Sequence, residues 1–104
     1  MIEERFEDLV DELQHCPGVT PPRLGRGFGS HALKVHGRIF AMLVRGRLVV
    51  KLPRARVDEL VADRHGVRFD ANKGIPMKEW FSMDPEAPVE WSALAREAMA
   101  FVGE

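Results

Sequence analysis

The chain has 104 residues, long enough for one domain to bury a hydrophobic core without disulfides or a structural metal. Its apolar share of 45% and charged share of 30% are ordinary for a folded protein and exclude a low-complexity chain. The formal net charge of −1 and the isoelectric point near 6.4 argue against a dedicated nucleic-acid binder. We therefore interpret residues 1–104 as a single folded domain.

The charges are segregated along the chain. Residues 1–16 hold six acids and one arginine, and residues 58–104 hold ten acids and five bases. Residues 17–57 hold nine Lys or Arg side chains and no acid. Such a basic block can bind a polyanion. Alternatively, the acidic flanks neutralise it within the fold or across a dimer, which we favour because charge runs are most often solvated or paired.

Cysteine use and the N-terminus predict a cytoplasmic protein. The single cysteine, Cys16, cannot form an internal disulfide, which suits a reducing compartment. Glu3, Glu4 and Glu7 stand where a signal peptide needs positive charge, and no apolar stretch approaches a membrane-spanning length. We expect neither export nor membrane insertion.

An amphipathic helix is predicted at the N-terminus, ended by Pro17-Gly18. Its apolar residues recur at helical spacing and are Ile2, Phe6, Leu9, Val10 and Leu13. The connection that follows, to residue 30, is rich in Pro and Gly, and loops of this length are often functional. Its segment at 25–29 lacks the preceding strand and following helix of a dinucleotide-binding motif. Three alternatives stay open: an anion-binding nest beside Arg23 and Arg26, a small-ligand pocket between the sheet and loop 17–30, and glycines that let the backbone pass closely over the sheet edge while Phe28 packs into the core, which we favour over the nest.

Residues 32–52 predict an antiparallel meander of three strands. His36-Gly37 and Arg45-Gly46 are turn dipeptides inside a run of aliphatic residues, which indicates two-residue hairpins. Strict alternation then assigns two faces. The predicted core face carries Ala32, Lys34, Ile39, Ala41, Leu43, Leu48, Val50 and Leu52. The opposite, half apolar and half basic face carries Leu33, Val35, Arg38, Phe40, Met42, Val44, Arg47, Val49 and Lys51.

The rest of the chain predicts a helix, two strands and a final helix. Pro53 suits the first position of the second helix, and Gly66 its end. Short strands are expected at 67–69 and 78–83, with Trp80 facing away from Phe81, and the last helix begins at Pro88. The order α-β-β-β-α-β-β-α favours an α+β two-layer sandwich, an antiparallel sheet with helices on one face.

The residues do not predict an active site, a metal site or a cofactor. His15-Cys16 and His31 could converge on a metal only if the long loop folded back, and no metal-binding spacing is present. Ser30 and His31 are neighbours whose side chains would point to opposite faces of a strand, which excludes a nucleophile and its base. We expect a protein that is not an enzyme.

Short glycine-flanked segments across residues 24–102 carry a family resemblance. They are Gly27-Phe28-Gly29-Ser30, Leu33-Lys34-Val35, Gly37, Phe40-Ala41-Met42-Leu43, Gly46-Arg47-Leu48-Val49-Val50-Lys51-Leu52-Pro53, Phe69-Asp70, Gly74 and Met77-Lys78-Glu79-Trp80. With them the chain resembles the N-terminal domain of the TfoX/Sxy family, in the form of its small stand-alone actinobacterial members. The resemblance implies the secretion-chaperone-like α-β(3)-α-β(2)-α sandwich, shared with YjbR-like proteins. Full-length TfoX proteins regulate natural competence, and the resemblance supplies no active-site residues.

These observations predict a binding or regulatory domain. Its candidate surface is the mixed face at Arg38, Phe40, Arg47 and Lys51, which would contact a protein partner or a second copy of the chain. Nucleic-acid binding through the basic segment 23–56 is the less favoured alternative, and small-ligand binding beside loop 17–30 is the third. A further cluster, Lys78, Glu79 and Trp80, could meet Lys51 across the sheet, either as a site or as an ion pair beside a core tryptophan.

Overall fold

The structure, a computed structural model, describes residues 2–21, 32–70 and 77–103. Within them lie three helices and six strands. The elements in chain order are α1 (Ile2–Leu13), β1 (Val19–Thr20), β2 (Ala32–Val35), β3 (Arg38–Val44), β4 (Arg47–Lys51), α2 (Arg54–Ala62), β5 (Gly66–Arg68), β6 (Trp80–Met83) and α3 (Trp91–Val102). The predicted order is confirmed, with the two-residue β1 as an addition.

The strands form one sheet in the order β1-β2-β3-β4-β6-β5, with every neighbouring pair antiparallel. A single apolar cluster joins side chains of all three helices to one face of this sheet. Its fully buried members include Leu13 of α1, Val57 of α2, Leu94 of α3 and Val50 at the centre of the sheet. The α+β sandwich with helices on one face is therefore confirmed.

Both predicted hairpins are present. Val35 pairs with Arg38, and Val44 pairs with Arg47, so each turn has two residues. His36 and Gly37 have φ values of 51° and 81°, and the residues of the second turn are also left-handed. Two consecutive left-handed residues are the geometry that matches the twist of paired strands.

One extra residue in β3 changes the predicted faces. Lys34 pairs with Ile39, but Leu33 pairs with Ala41, so Phe40 is left unopposed in a β-bulge. Because opposite residues share a face, Leu33 lies on the helix side with Ala41. The predicted faces are therefore wrong for the residues up to and including the bulge. The side away from the helices carries Ala32, Lys34 and Ile39. The helix side carries Leu33, Val35, Arg38 and Phe40.

The mixed face is not an open surface. Phe40, predicted to lie on it, is fully buried in the helix-side core. Val49, which does lie on the far side, is also fully buried, and Met42 beside it is half-buried. The prediction of one continuous apolar and basic contact surface is therefore corrected.

The predicted boundaries of α2 also change. Pro53 is the N-cap residue, and α2 begins at Arg54 and ends at Ala62. The left-handed residue after the helix is Arg64, with φ 63°, while Gly66 opens β5. At the end of the chain, α3 begins at Trp91, three residues after Pro88.

Candidate binding cleft

A cleft of about 460 Å³ lies at one end of the sheet, against the last turn of α3. It forms there because antiparallel strands bring the start of β3, the end of β4 and the start of β6 to the same end. The lining residues are Arg38, Ile39, Lys51, Glu79, Trp80, Phe101 and Val102. The cleft thus combines two cations, one carboxylate and four apolar side chains.

Lys51 and Trp80 form the centre of the sheet side. They are direct partners in the pairing of β4 with β6, so their side chains share a face. The Lys51 ammonium lies over the Trp80 ring, with Nζ 5.8 Å from the ring centroid, within range of a cation–π interaction. Both side chains are half-buried. An ammonium held beside an accessible ring can meet a ligand that is both anionic and apolar.

Glu79 lines the cleft from the position directly before β6. The Leu52 amide donates a hydrogen bond to the Glu79 carbonyl oxygen at 2.9 Å, which extends the β4–β6 pairing by one step. Glu79 itself is exposed and, within the described ranges, takes part in no salt bridge. The predicted ion pair of Lys51 or Lys78 with this acid is therefore not formed there.

The ion pairs in the described ranges connect the helices to each other and to β5. Arg56 binds Glu59 and Glu97, Arg68 binds Asp58, and Arg96 binds Glu12. None of these pairs uses a cation of β2, β3 or β4. In the part of the chain that the structure describes, the acidic helices thus do not neutralise the basic meander.

Three of these pairs shift pKa values. Hydrogen bonds from Ser92 and Arg96 lower the pKa of Glu12 below its ordinary value. Hydrogen bonds to Glu97 and Glu59 raise the pKa of Arg56. These groups do not line the cleft, so the shifts concern stability rather than binding.

The other predicted site residues lie elsewhere. Arg47 is at the opposite end of β4 from Lys51, and its Nη2 donates to the Ser82 carbonyl oxygen at 3.3 Å. Its buried Nε has no hydrogen-bond partner among the described residues. Lys78 is exposed in the turn before β6 and does not line the cleft. Arg23 and Arg26 lie outside the described residues.

Sequence reasoning missed three lining residues. Phe101 and Val102 belong to the predicted last helix, but periodicity does not show where a helix ends over a sheet. Ile39 was assigned to the core face because the bulge was not foreseen. The sequence did predict that Lys51 and Trp80 lie close together, as part of the proposed cluster with Lys78 and Glu79.

The described ranges hold neither a metal-binding cluster nor a membrane-spanning helix. No group of three or more His, Cys, Asp or Glu side chains there could hold a metal ion. No helix among those described is long and apolar enough to cross a membrane. Ser30 and His31 lie outside these ranges.

Comparisons with known proteins give no relative. No family model, no curated protein and no solved structure matches the chain.

Proposed function

We propose that this protein is a small non-enzymatic binding domain that receives an anionic group of its partner in the cleft at the end of α3. The supporting observation is the position of Arg38 and Lys51. Within the described ranges neither cation forms an ion pair and both line the cleft, where the Lys51 ammonium lies beside the accessible Trp80 ring. A cation on a low-dielectric wall attracts an anion more strongly than one surrounded by water.

The chemistry of the lining favours binding over catalysis. Covalent catalysis needs a hydroxyl, thiol or amine activated by a neighbouring base. The lining offers Glu79 as a base, but no serine, cysteine or histidine. Lys51, the one amine, lies against Trp80 rather than in an ion pair with Glu79.

The resemblance to the TfoX N-terminal domain is part of the same proposal. The element order agrees with the sandwich that the resemblance implies. We infer a regulatory domain that acts in the cytoplasm, where the single cysteine would stay reduced. The partner would be a protein segment, a second copy or a small molecule, provided that it carries the anionic group.

Fluorescence quenching tests the charge of the cleft. Trp91 is only 6% exposed, so Trp80 is the tryptophan that small ions reach. At constant ionic strength, we expect the ratio of iodide to caesium quenching of Trp80 to exceed the ratio measured for free N-acetyltryptophanamide, because the local field is positive. Lys51→Met should lower the iodide quenching constant by about twofold, the order expected for loss of one nearby cation.

Two controls make this result specific. Trp80→Phe should remove the ion-sensitive part of the quenching. Arg45→Asn removes one positive charge in the hairpin at the far end of β3, at a left-handed position that asparagine tolerates, and should change nothing. A ratio of iodide to caesium quenching no higher than that of N-acetyltryptophanamide would count against the proposal.

Nucleic-acid binding is a second candidate function. It is supported by the meander cations, which form no ion pairs within the described ranges. A polynucleotide neutralised by several of them would lose affinity steeply as salt rises, whereas a single anionic group would give a shallow dependence. Titrations with single-stranded DNA and RNA at two salt concentrations separate the two. An absent or salt-insensitive interaction eliminates this candidate.

A further inference from the structure

We propose that the preferred ligand of the cleft is a small aromatic carboxylate, a planar ring that carries one negative charge. This inference rests on the proposed function and specifies its ligand. It follows from the size of the cleft, from the positions of its two aromatic side chains and from the balance of its charges.

The size fits a small molecule. A volume of about 460 Å³ lies within the range of small-molecule sites in proteins, which is about 300–1,000 Å³. Such sites have mostly apolar walls with a few polar groups that fix orientation. Four of the seven lining residues are apolar, namely Ile39, Trp80, Phe101 and Val102. A phosphate-rich polymer would instead require a long cationic track.

The aromatic side chains come from the two layers of the fold. Trp80 begins β6 on the sheet, and Phe101 lies in the last turn of α3. Both are partly buried, and both line the cleft. Aromatic rings prefer offset-stacked or edge-to-face contacts, which favour a flat ring over a saturated one of similar size.

The charges indicate a monoanion. Arg38 and Lys51 supply two positive charges, and Glu79 supplies one negative charge, so the lining carries a net charge of +1. A single carboxylate neutralises this lining. Because Lys51 Nζ is 5.8 Å from the Trp80 ring centroid, a ring that contacts Trp80 brings its carboxylate within reach of the ammonium. A second negative charge would be opposed by Glu79.

Four probes of related shape test the ligand class. They are 1-naphthoate, the neutral 1-naphthalenemethanol, the cationic 1-naphthylmethylammonium and the saturated decahydronaphthalene-1-carboxylate. Each is titrated into the full chain while backbone amide shifts are followed by NMR. We expect 1-naphthoate to bind about tenfold more tightly than either non-anionic naphthalene, a difference of about 1.4 kcal/mol. It should also bind at least about threefold more tightly than decahydronaphthalene-1-carboxylate, because only a flat ring gains the aromatic contacts.

The location of binding is tested with variants that keep the fold. Lys51→Met retains the apolar stem and should weaken 1-naphthoate about tenfold, the order of a lost charge-assisted contact. Phe101→Leu should weaken the binding of 1-naphthoate but leave that of decahydronaphthalene-1-carboxylate unchanged. Arg45→Asn, at the far hairpin, should leave both affinities as they are.

The outcomes distinguish the two proposals. If 1-naphthoate and decahydronaphthalene-1-carboxylate bind equally well and Lys51→Met weakens both, the aromatic preference is wrong while the anion-binding function stands. If 1-naphthoate binds no better than the neutral and cationic naphthalenes, both proposals fail. Shifts confined to amides outside the cleft also overturn the assignment of this site.

Discussion

Gly66 occupies a position where the backbone of β5 and that of β6 come unusually close. A Cβ atom added there would lie 2.2 Å from the carbonyl oxygen of Ser82 and 2.7 Å from Cζ of Phe81. Ser82 is buried and lies in β6 where that strand pairs with β5. Its carbonyl group therefore cannot move aside without disturbing the strand pairing. The absent side chain is thus a packing requirement at this residue.

Gly66→Ala should destabilise the protein by about 3 kcal/mol, the upper end of the range for overpacking, because the obstacle is backbone. Gly46→Asn is the matched control. Within the described part of the chain, no atom lies within 4 Å of a Cβ at Gly46, and asparagine tolerates its φ of 75°. It should cost about 1 kcal/mol or less. Urea unfolding measures both, and equal losses would contradict the packing argument.

At the scale of the elements, the hairpins were predictable and the bulge was not. The dipeptides His36-Gly37 and Arg45-Gly46 predict the two turns, because a two-residue hairpin needs two successive left-handed residues and glycine adopts that conformation readily. The bulge at Phe40 has no comparable signal, since the surrounding run is apolar at both odd and even positions. Periodicity predicted the apolar faces of the helices. The cleft, however, depends on the strand order that brings β4, β6 and α3 together, and periodicity does not encode strand order.

Mutations can distinguish the bulged arrangement, with Phe40 in the helix-side core, from strict alternation, with Phe40 on the opposite face. Phe40→Ala should destabilise the protein by about 3–5 kcal/mol, because it leaves a cavity in the helix-side core. Met42→Ala, on the opposite face and half-buried, should cost about 1–2 kcal/mol. Both values come from urea unfolding.

Phe40→Leu provides a smaller change in case Phe40→Ala does not fold, and it should also be more destabilising than Met42→Leu. If the Phe40 variants were as stable as the Met42 variants, Phe40 would lie at the surface and the bulge would be wrong.

For the whole molecule, the distribution of ion pairs explains how a chain with a net charge of −1 keeps a basic region. In the described ranges, Glu12, Asp58 and Glu97 bind arginines from α3, β5 and α2, which ties the helix layer together. Such exposed pairs contribute little stability individually. They also fix where the acids lie, because acids held by arginines of α2, α3 and β5 are not available to the cations of the meander.

The pairing of Glu12 predicts a pH dependence of the whole fold. Glu12 lies in the last turn of α1, where the helix dipole disfavours an acid, but Ser92 and Arg96 of α3 donate hydrogen bonds to it. These bonds lower its pKa in the folded state below the ordinary value of 4.5. A carboxyl with a lowered folded-state pKa contributes stability that is fully present above the unfolded pKa and is lost as the pH falls through the folded value.

The free energy of unfolding should therefore fall more steeply below about pH 4.5 in the unaltered protein than in Glu12→Gln, since only the former loses this contribution. The two curves should differ at pH 7 and converge in acid, and 1 M salt should narrow their separation because both partners are exposed. Glu7→Gln, an exposed position on the same helix, controls for the loss of one charge. Parallel curves for Glu12→Gln and the unaltered protein down to pH 2 would show that the contact between α1 and α3 does not depend on the ionised carboxylate.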